Sequence, residues 1–241
     1  MLWMNNREGP TADKRFRQAV MYAMDREFAK DVLWNGLGNV PLSAFGSNAR
    51  FQHDDLEPYD HNPERARELL DEMGCDGEEI TILPLPYGET WTRWAEAVQQ
   101  NLREVGINVS TQATDVGGWN QRLGDWDYDL AFTYLYQYGD PALGISRTYL
   151  SDNIAKGSPW NNVEGYENER VDELFNAAAT AFPDEEREAL YLEVQEILHE
   201  DVPVGWLMEL GFPTLYRCDV KNLVTSGVGV NDGFKDAWLD R

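Results

Sequence analysis

The sequence predicts an α/β fold, and three stretches of the chain support this prediction. Residues 79–113 have the pattern strand, amphipathic helix, strand, which is typical of a parallel βαβ unit flanked by helices. Two further segments, 168–181 and 184–200, carry apolar residues at helical spacing. After 202 the pattern returns to strand. The 241 residues, 42% of them hydrophobic, are enough for one or two packed domains.

The first predicted helical region covers residues 13–35. Apolar side chains recur in it at a spacing of three to four residues. Asp25 is expected to cap a second helix over 26–34, and Gly36 to end it. Residues 36–58 are rich in Gly, Pro, Ser and Asn without periodicity, so they are predicted to form a long ordered loop or a linker.

The next helix has clear boundaries in the sequence. Asn62 suits the N-cap position, Pro63 the first helical position and Gly74 the position after the last turn. An apolar stripe between these residues completes the pattern of an amphipathic helix.

The βαβ unit is followed by a third strand. Its first strand is expected at 79–85, its helix at 89–105 and its second strand at 107–113. A short helix over 116–124 then leads to a strand predicted at 128–136.

The second half is predicted to be mostly helical. A short helix over 141–150 precedes the two longer helices. The pattern then predicts strands at 204–210 and 213–217.

The charge of the chain excludes several classes of partner. Acidic residues number 43 and basic residues 20, which gives a formal net charge of −23. Binding to nucleic acid or to an anionic membrane relies on Lys and Arg, so neither is expected as a partner. Five Lys stand against fifteen Arg. This balance favours a salt-adapted surface, as in halophilic proteins, over an ordinary acidic protein.

The sequence shows no metal, cofactor or targeting motif. Cys75 and Cys218 lie far apart and are expected to be free thiols, although a single disulfide remains open. The three His are scattered, so no zinc site is predicted. The first residues lack a signal segment, and no apolar run is long enough to insert in a membrane.

No catalytic motif is present either. The sequence contains no GxSxG, P-loop, HExxH or GxGxxG pattern. Adjacent carboxylates such as Glu185 and Glu186 are typical of a solvated surface. No catalytic residue and no cofactor is therefore predicted, and a binding protein is favoured over an enzyme.

Three alternating tyrosines are the most distinctive candidates for a binding site. Tyr134, Tyr136 and Tyr138 share one face if 134–138 is extended. They come at the carboxyl end of a predicted strand, where ligands usually bind in open α/β sheets. A tyrosine combines an apolar ring with a hydroxyl, which suits a cleft for a small ligand. Packing of some of these rings in the core is the alternative.

Six ordered segments resemble the extracellular solute-binding proteins of ABC transporters, family 5, the dipeptide/oligopeptide/nickel-binding group. Among them are a helix with the sequence KRFRQAVMYAMDRE and a later segment YDHNPERARELL. The matching segments are Lys14–Glu27, Tyr59–Leu70, Ala97–Val109, Asp127–Asp129 with Gly139–Pro141, Tyr166–Leu174 and Glu186–Pro203.

The resemblance implies a lobe of the type II periplasmic-binding-protein fold, with a mixed sheet flanked by helices. Family members are longer and have two lobes that close on a ligand. Residues 1–19 would be the hinge connection, 20–205 the C-terminal lobe, and 206–241 a tail that returns to a missing first lobe. The chain would then be a fragment, because the signal segment and most of the first lobe are absent from it.

The resemblance also implies a function. The chain would be part of the substrate-binding component of an ABC importer, which captures a peptide or other small polar solute and delivers it to the permease. The full-length protein would be extracellular or lipid-anchored at the cell surface. The alternative is a solute-sensing regulatory or interaction domain of the same fold.

One position departs from the family pattern. Peptide-binding members have an Asp three positions before Asp140, where it pairs with the ligand's α-amino group, whereas this chain has Gln137. An amide cannot form that charge-assisted pair. A sugar, another polar solute or a differently held peptide is therefore favoured. The candidate ligand-binding residues are Tyr134, Tyr136, Gln137, Tyr138, Asp140, Trp119 and Trp160.

Overall fold

The computed structural model describes residues 1–75, 77, 79–226 and 233–240. These residues form two units, 1–209 and 210–241. The first unit contains a mixed five-stranded sheet, which confirms the predicted α/β class. The predicted division at 19 and 205 stays a prediction.

The sheet of the first unit has the strand order β4-β3-β5-β1-β6. Strand β3 pairs in parallel with both β4 and β5, as the βαβ pattern predicts. Strand β1 pairs antiparallel with β5 and β6, which makes the sheet mixed. The strands are β1 (Leu2–Met4), β3 (Glu79–Leu83), β4 (Asn108–Thr111), β5 (Leu130–Phe132) and β6 (Val204–Gly205), and two short strands, β2 (Gly38–Asn39) and β7 (Glu209–Leu210), lie outside this sheet.

Strand β1 shows that the sheet is buried on both faces. Successive side chains of a strand point to opposite faces, so Trp3 points away from Leu2 and Met4. All three are fully buried. Trp3 stacks on Trp119 of helix α5 (Val116–Asp125), while Leu2 lies beside Gly205 near Met21 of helix α1 (Lys14–Ala23). Helices therefore cover the sheet from both sides.

Most of the predicted helices are confirmed with small changes at their ends, but the one predicted at 141–150 forms only over Ser146–Tyr149, after a series of turns. Side-chain oxygens of Asp13, Asp25, Asn62 and Asn168 cap the helices that begin at residues 14, 26, 63 and 169. Gly74 ends the third of these helices in the left-handed conformation. The remaining helices are α2 (Arg26–Phe28), which continues as a π-helix over Ala29–Leu33, α3 (Pro63–Met73), α4 (Glu89–Glu104), α6 (Ser146–Tyr149), α7 (Glu169–Thr180) and α8 (Asp184–Asp201).

Two buried arginines tie helices to the rest of the unit. Arg17 donates to the backbone carbonyls of residues 11, 12, 201 and 202 at 2.7–3.1 Å. Arg26 donates to those of residues 41, 59 and 206 at 2.7–3.2 Å. Burial lowers the pKa of each guanidinium to about 10, which leaves both charged at neutral pH.

The strand predictions are only partly correct. The strand predicted at 128–136 ends at Phe132, and the one predicted at 204–210 is interrupted between β6 and β7. Residues 213–217 form no strand. In each case the apolar pattern continues beyond the residues that find a pairing partner, and pairing rather than composition defines a strand.

The second unit contains one antiparallel pair of strands. Strand β8 (Val220–Lys221) pairs with β9 (Trp238–Leu239). Large apolar side chains of this unit are exposed. They are Phe212, Leu215, Tyr216, Phe234, Trp238 and Leu239. The part of the predicted tail at 227–232 and 241 lies outside the described residues.

Candidate functional site

The three tyrosines lie at the carboxyl edge of the parallel strands. Tyr134, Tyr136 and Tyr138 follow β5 directly, in a segment without regular secondary structure. Tyr87 and Trp91 follow the carboxyl end of the neighbouring strand β3. Because parallel strands end at the same edge of a sheet, the two segments meet there.

The aromatic rings at this edge contact one another in a continuous series. Trp94 stacks on Trp91 with ring centroids 5.7 Å apart, and Trp91 stacks on Tyr134 at 6.0 Å. Tyr136 meets Tyr134 edge-on at 5.8 Å and stacks on Tyr138 at 6.2 Å. We call these five residues the aromatic ladder. These contacts bring the three tyrosines together, although the predicted strand stops earlier, at Phe132.

The sequence analysis did not identify Tyr87 and Trp91 as site residues. Tyr87 is exposed and contacts Tyr134 edge-on at 6.2 Å, whereas Trp91 is buried in the ladder. Their position after the carboxyl end of β3 was the available signal, because the predicted βαβ unit places that end beside β5.

Gln137 is held by the backbone of the long loop. Its Nε2 donates to the carbonyl of Ala44 at 3.0 Å, and its Oε1 accepts from the amide of Gly46 at 2.6 Å. A Cβ on residue 46 would lie 2.8 Å from that Oε1, so a larger residue there would have to displace the Gln137 side chain or the loop. Both ends of the amide are therefore engaged within the protein.

Asp140 is also engaged within the protein. Both of its carboxylate oxygens accept from Arg187 Nη2 at 2.9 Å, and its Oδ1 also accepts from the amide of Ala142. The hydrogen bond to Asp140 raises the pKa of Arg187. Arg50 lies 3.8 Å from Asp140 and also pairs with Asp184. This arrangement fixes the turn that follows the tyrosines.

The two tryptophans predicted as candidates belong to a different cluster. Trp119 is 0% exposed and stacks on Trp3 at 6.2 Å. Trp160, 37% exposed, contacts both of these rings. In this structure Trp119 presents no surface to a ligand, and packing against β1 explains its position.

The arrangement at the tyrosines can bind but offers little for catalysis. It presents partly exposed rings and phenol hydroxyls, and its amide and carboxylate groups already have partners. Among the residues that the structure describes, no group of three or more His, Cys, Asp or Glu could hold a metal ion. In the same part of the chain, no helix is long and apolar enough to cross a bilayer. Cys75 and Cys218 are both free.

Comparison with known proteins points to one family. Residues 1–157 match the family described as "Bacterial extracellular solute-binding proteins, family 5 Middle". The probable D,D-dipeptide-binding periplasmic protein DdpA of Escherichia coli is 24% identical over 229 residues, which cover 92% of this chain and 43% of that protein. Heme-binding protein A of Haemophilus influenzae is 25% identical in an alignment of 245 positions that covers 98% of this chain and 43% of that protein.

A solved structure agrees with these relatives. The periplasmic binding protein DppA of Helicobacter pylori, in complex with the peptide STSA, superimposes with a TM-score of 0.85 at 24% identity. That match covers 100% of this chain and 46% of the other. This chain therefore spans less than half the length of these relatives. The family match over residues 1–157, together with the shared fold, shows that the chain belongs to the extracellular solute-binding proteins of family 5.

Proposed function

We propose that this chain contributes a solute-binding surface to the binding component of an ABC importer. The single observation that supports it most is the set of partly exposed tyrosines at the carboxyl edge of β3 and β5. This edge is where open α/β sheets bind their ligands. The family consists of binding proteins, and we propose that this chain likewise binds without catalysis.

The ligand and partners follow from the same proposal. The relatives' names specify dipeptides in one case and heme in another. For this chain we propose a peptide or another small polar solute, which the complete protein passes to the permease subunits. Binding would take place outside the cell, as the family description indicates. Lipid anchoring of the longer protein is part of the proposal.

The second unit supports a role in a larger assembly. We propose that 20–205 is one lobe, that 1–19 connects it to another, and that 206–241 packs against that other lobe. The six large apolar side chains exposed in this unit support this assignment, since a contact with another lobe would bury them. Trp160, which is 37% exposed, remains a proposed ligand contact of secondary weight, whereas Trp119 is fully buried and is no longer proposed as one.

The net charge of −23 supports one further part of the proposal. We propose that the protein works at high ionic strength, where salt screens repulsion among its carboxylates.

A thermal-shift screen tests the proposed function. The chain, and any longer gene product that contains it, is melted in high salt with free-amine dipeptides, blocked peptides, disaccharides, heme and nickel. A ligand at about 100 times its Kd should stabilise the protein by about 2.7 kcal/mol. A panel in which no compound changes the melting of either protein would contradict the proposal.

A further inference from the structure

The aromatic ladder runs from the core to the surface. Trp94 and Trp91 are buried, Tyr134 is half-buried, and Tyr136 and Tyr138 are 43% and 53% exposed. Each ring contacts the next with centroids 5.7–6.2 Å apart. The series therefore ends in two stacked rings that water can reach. Another flat ring would extend the series by the same kind of contact.

The outer rings are held in place by their backbone. The amide of Tyr138 donates to the carbonyl of Leu143 at 3.1 Å, and Gln137, between the two rings, bonds the loop at Ala44 and Gly46. Gly144 has φ 99°, and a Cβ there would lie 2.4 Å from the carbonyl oxygen of Tyr136. A tyrosine ring on a fixed backbone loses little entropy when it binds, which favours it as a contact surface.

The polar groups beside these rings already have partners within the protein. Gln137 donates to the loop and accepts from it, and Asp140 accepts from Arg187 with both oxygens. Burial raises the pKa of Tyr134, so its hydroxyl stays neutral. The surface that Tyr136 and Tyr138 present to a ligand thus consists of ring faces and hydroxyl groups.

We infer that Tyr136 and Tyr138 select ligands that carry a flat ring, which stacks on them without a charge-assisted contact. The ring can come from an aromatic side chain, which offers a flat π face, or from a sugar, whose chair offers a face of apolar C–H groups to a tyrosine. This inference rests on the proposed function, because it names the class of ligand that the same site takes.

The test uses three probes and matched variants. Cellobiose carries a sugar ring, N-acetyl-tryptophanamide carries an aromatic ring without a free amine, and Ala-Ala carries a free amine without a ring. Calorimetry on the chain, and on the longer gene product where one exists, should show binding of a ring probe and none of Ala-Ala. Which ring probe binds identifies the source of the ring.

The variants separate stacking from bulk. Tyr136→Leu and Tyr138→Leu should each weaken binding of the ring probe about 2- to 12-fold, the range of aromatic pair energies. Tyr136→Phe and Tyr138→Phe keep the ring and should bind within about 2-fold of the unmodified chain. Tyr216→Leu, at a half-exposed tyrosine of the second unit, should leave binding unchanged.

Two results would overturn the inference alone. The first is that a panel ligand without any ring binds more tightly than both ring probes. The second is that the Leu variants bind the ring probe as tightly as the unmodified chain does. Both leave the solute-binding function intact. If no probe and no panel compound binds either protein, the proposed function fails and the inference fails with it.

Discussion

Arg17 shows how strongly this fold depends on single polar side chains. Its planar guanidinium reaches carbonyls from two distant segments, the turn before α1 and the end of α8. A buried carbonyl without a partner costs free energy, so these hydrogen bonds stabilise the packing of both segments. The segment KRFRQAVMYAMDRE thus carries Arg17 and Arg26 for a structural reason.

We expect Arg17→Ala to lower the free energy of unfolding by about 2–5 kcal/mol, because several carbonyls lose their partner at once. Arg15→Ala is the matched control, since Arg15 lies on the same helix but has a half-exposed side chain in a surface ion pair with Asp13, and such pairs contribute little to stability. Urea unfolding monitored by circular dichroism measures both. Equal losses in the two variants would contradict the account.

Glu164 is the unusual residue of the first unit. It is fully buried, and among the described residues no group lies within good hydrogen-bond geometry of either side-chain oxygen. Burial raises its pKa well above the ordinary value of 4.5, although the nearby Arg7 opposes this shift. At a pH between the two pKa values, Glu164 is therefore protonated in the folded protein and ionised in the unfolded chain.

We expect Glu164→Gln to become increasingly more stable than the unmodified chain as pH rises above about 4.5. Because the pKa of Glu164 is raised in the folded state, the unmodified chain loses stability as pH rises from the unfolded to the folded pKa. In this window the unfolding equilibrium constant increases by at most about tenfold per pH unit. Gln has no such dependence. Unfolding titrations from pH 4 to 8 test this, with Glu185→Gln as the exposed control. A difference that does not change with pH would be inconsistent with a raised pKa.

At the scale of elements, the long loop between α2 and α3 is ordered by two glutamines. Gln137 bonds its backbone at residues 44 and 46, and the buried Gln195 of α8 bonds Ser43, the carbonyl of Phe51 and the amide of His53. The composition of 36–58 could not distinguish a linker from an ordered loop. The deciding contacts come from residues about 90 to 150 positions away in sequence.

Gly46→Ala should detach this loop from the segment that carries the tyrosines. The new methyl group would lie 2.8 Å from Gln137 Oε1, so the hydrogen bond must break or the loop must shift, at a cost of about 1–3 kcal/mol. Hydrogen exchange should then show lost protection of the residue 46 amide. Gly117→Ala on α5 meets only Asp115 at 3.4 Å and should keep or raise stability. Unchanged protection in Gly46→Ala would contradict this role of Gln137.

The helices were predictable from sequence because their signals are local. Asn62, Pro63 and Gly74 mark both ends of α3 within one segment of chain. Strands depend on partners elsewhere. Strand β1 has only three residues and is defined by pairing with residues 130–132 and 204–205. The sequence around it has no alternating pattern long enough to predict a strand. The π-helical winding after α2 had no signal in the apolar spacing either.

For the whole molecule, the sequence predicted where the candidate site lies but not its internal contacts. The alternation of tyrosines after an apolar strand indicated the sheet edge at which the structure places the aromatic ladder. Gln137 bonds a loop and Asp140 bonds an arginine, and both partners are far away in sequence. The groups that remain available to a ligand could therefore be identified only from the structure.

The net charge makes a prediction at this scale. We expect the free energy of unfolding to rise as NaCl increases from 0.1 to 1 M, because the Debye length falls from about 10 Å to about 3 Å and repulsion among the 43 acidic residues is screened. Most of the gain should be complete by about 1 M. Sucrose at equal osmolarity is the control, since it acts by exclusion from the surface and not by screening. A stability that falls with NaCl, or that rises equally in sucrose, would contradict the interpretation.

The position of β1 between β5 and β6 has a consequence for biosynthesis. Residues 2–4 leave the ribosome long before residues 130–132 and 204–205, the only strands with which they pair in the described sheet. Strands β3, β4 and β5 can associate earlier, together with α4. The three apolar side chains of β1 therefore stay exposed until nearly the whole first unit has been translated. During that time they need protection from aggregation.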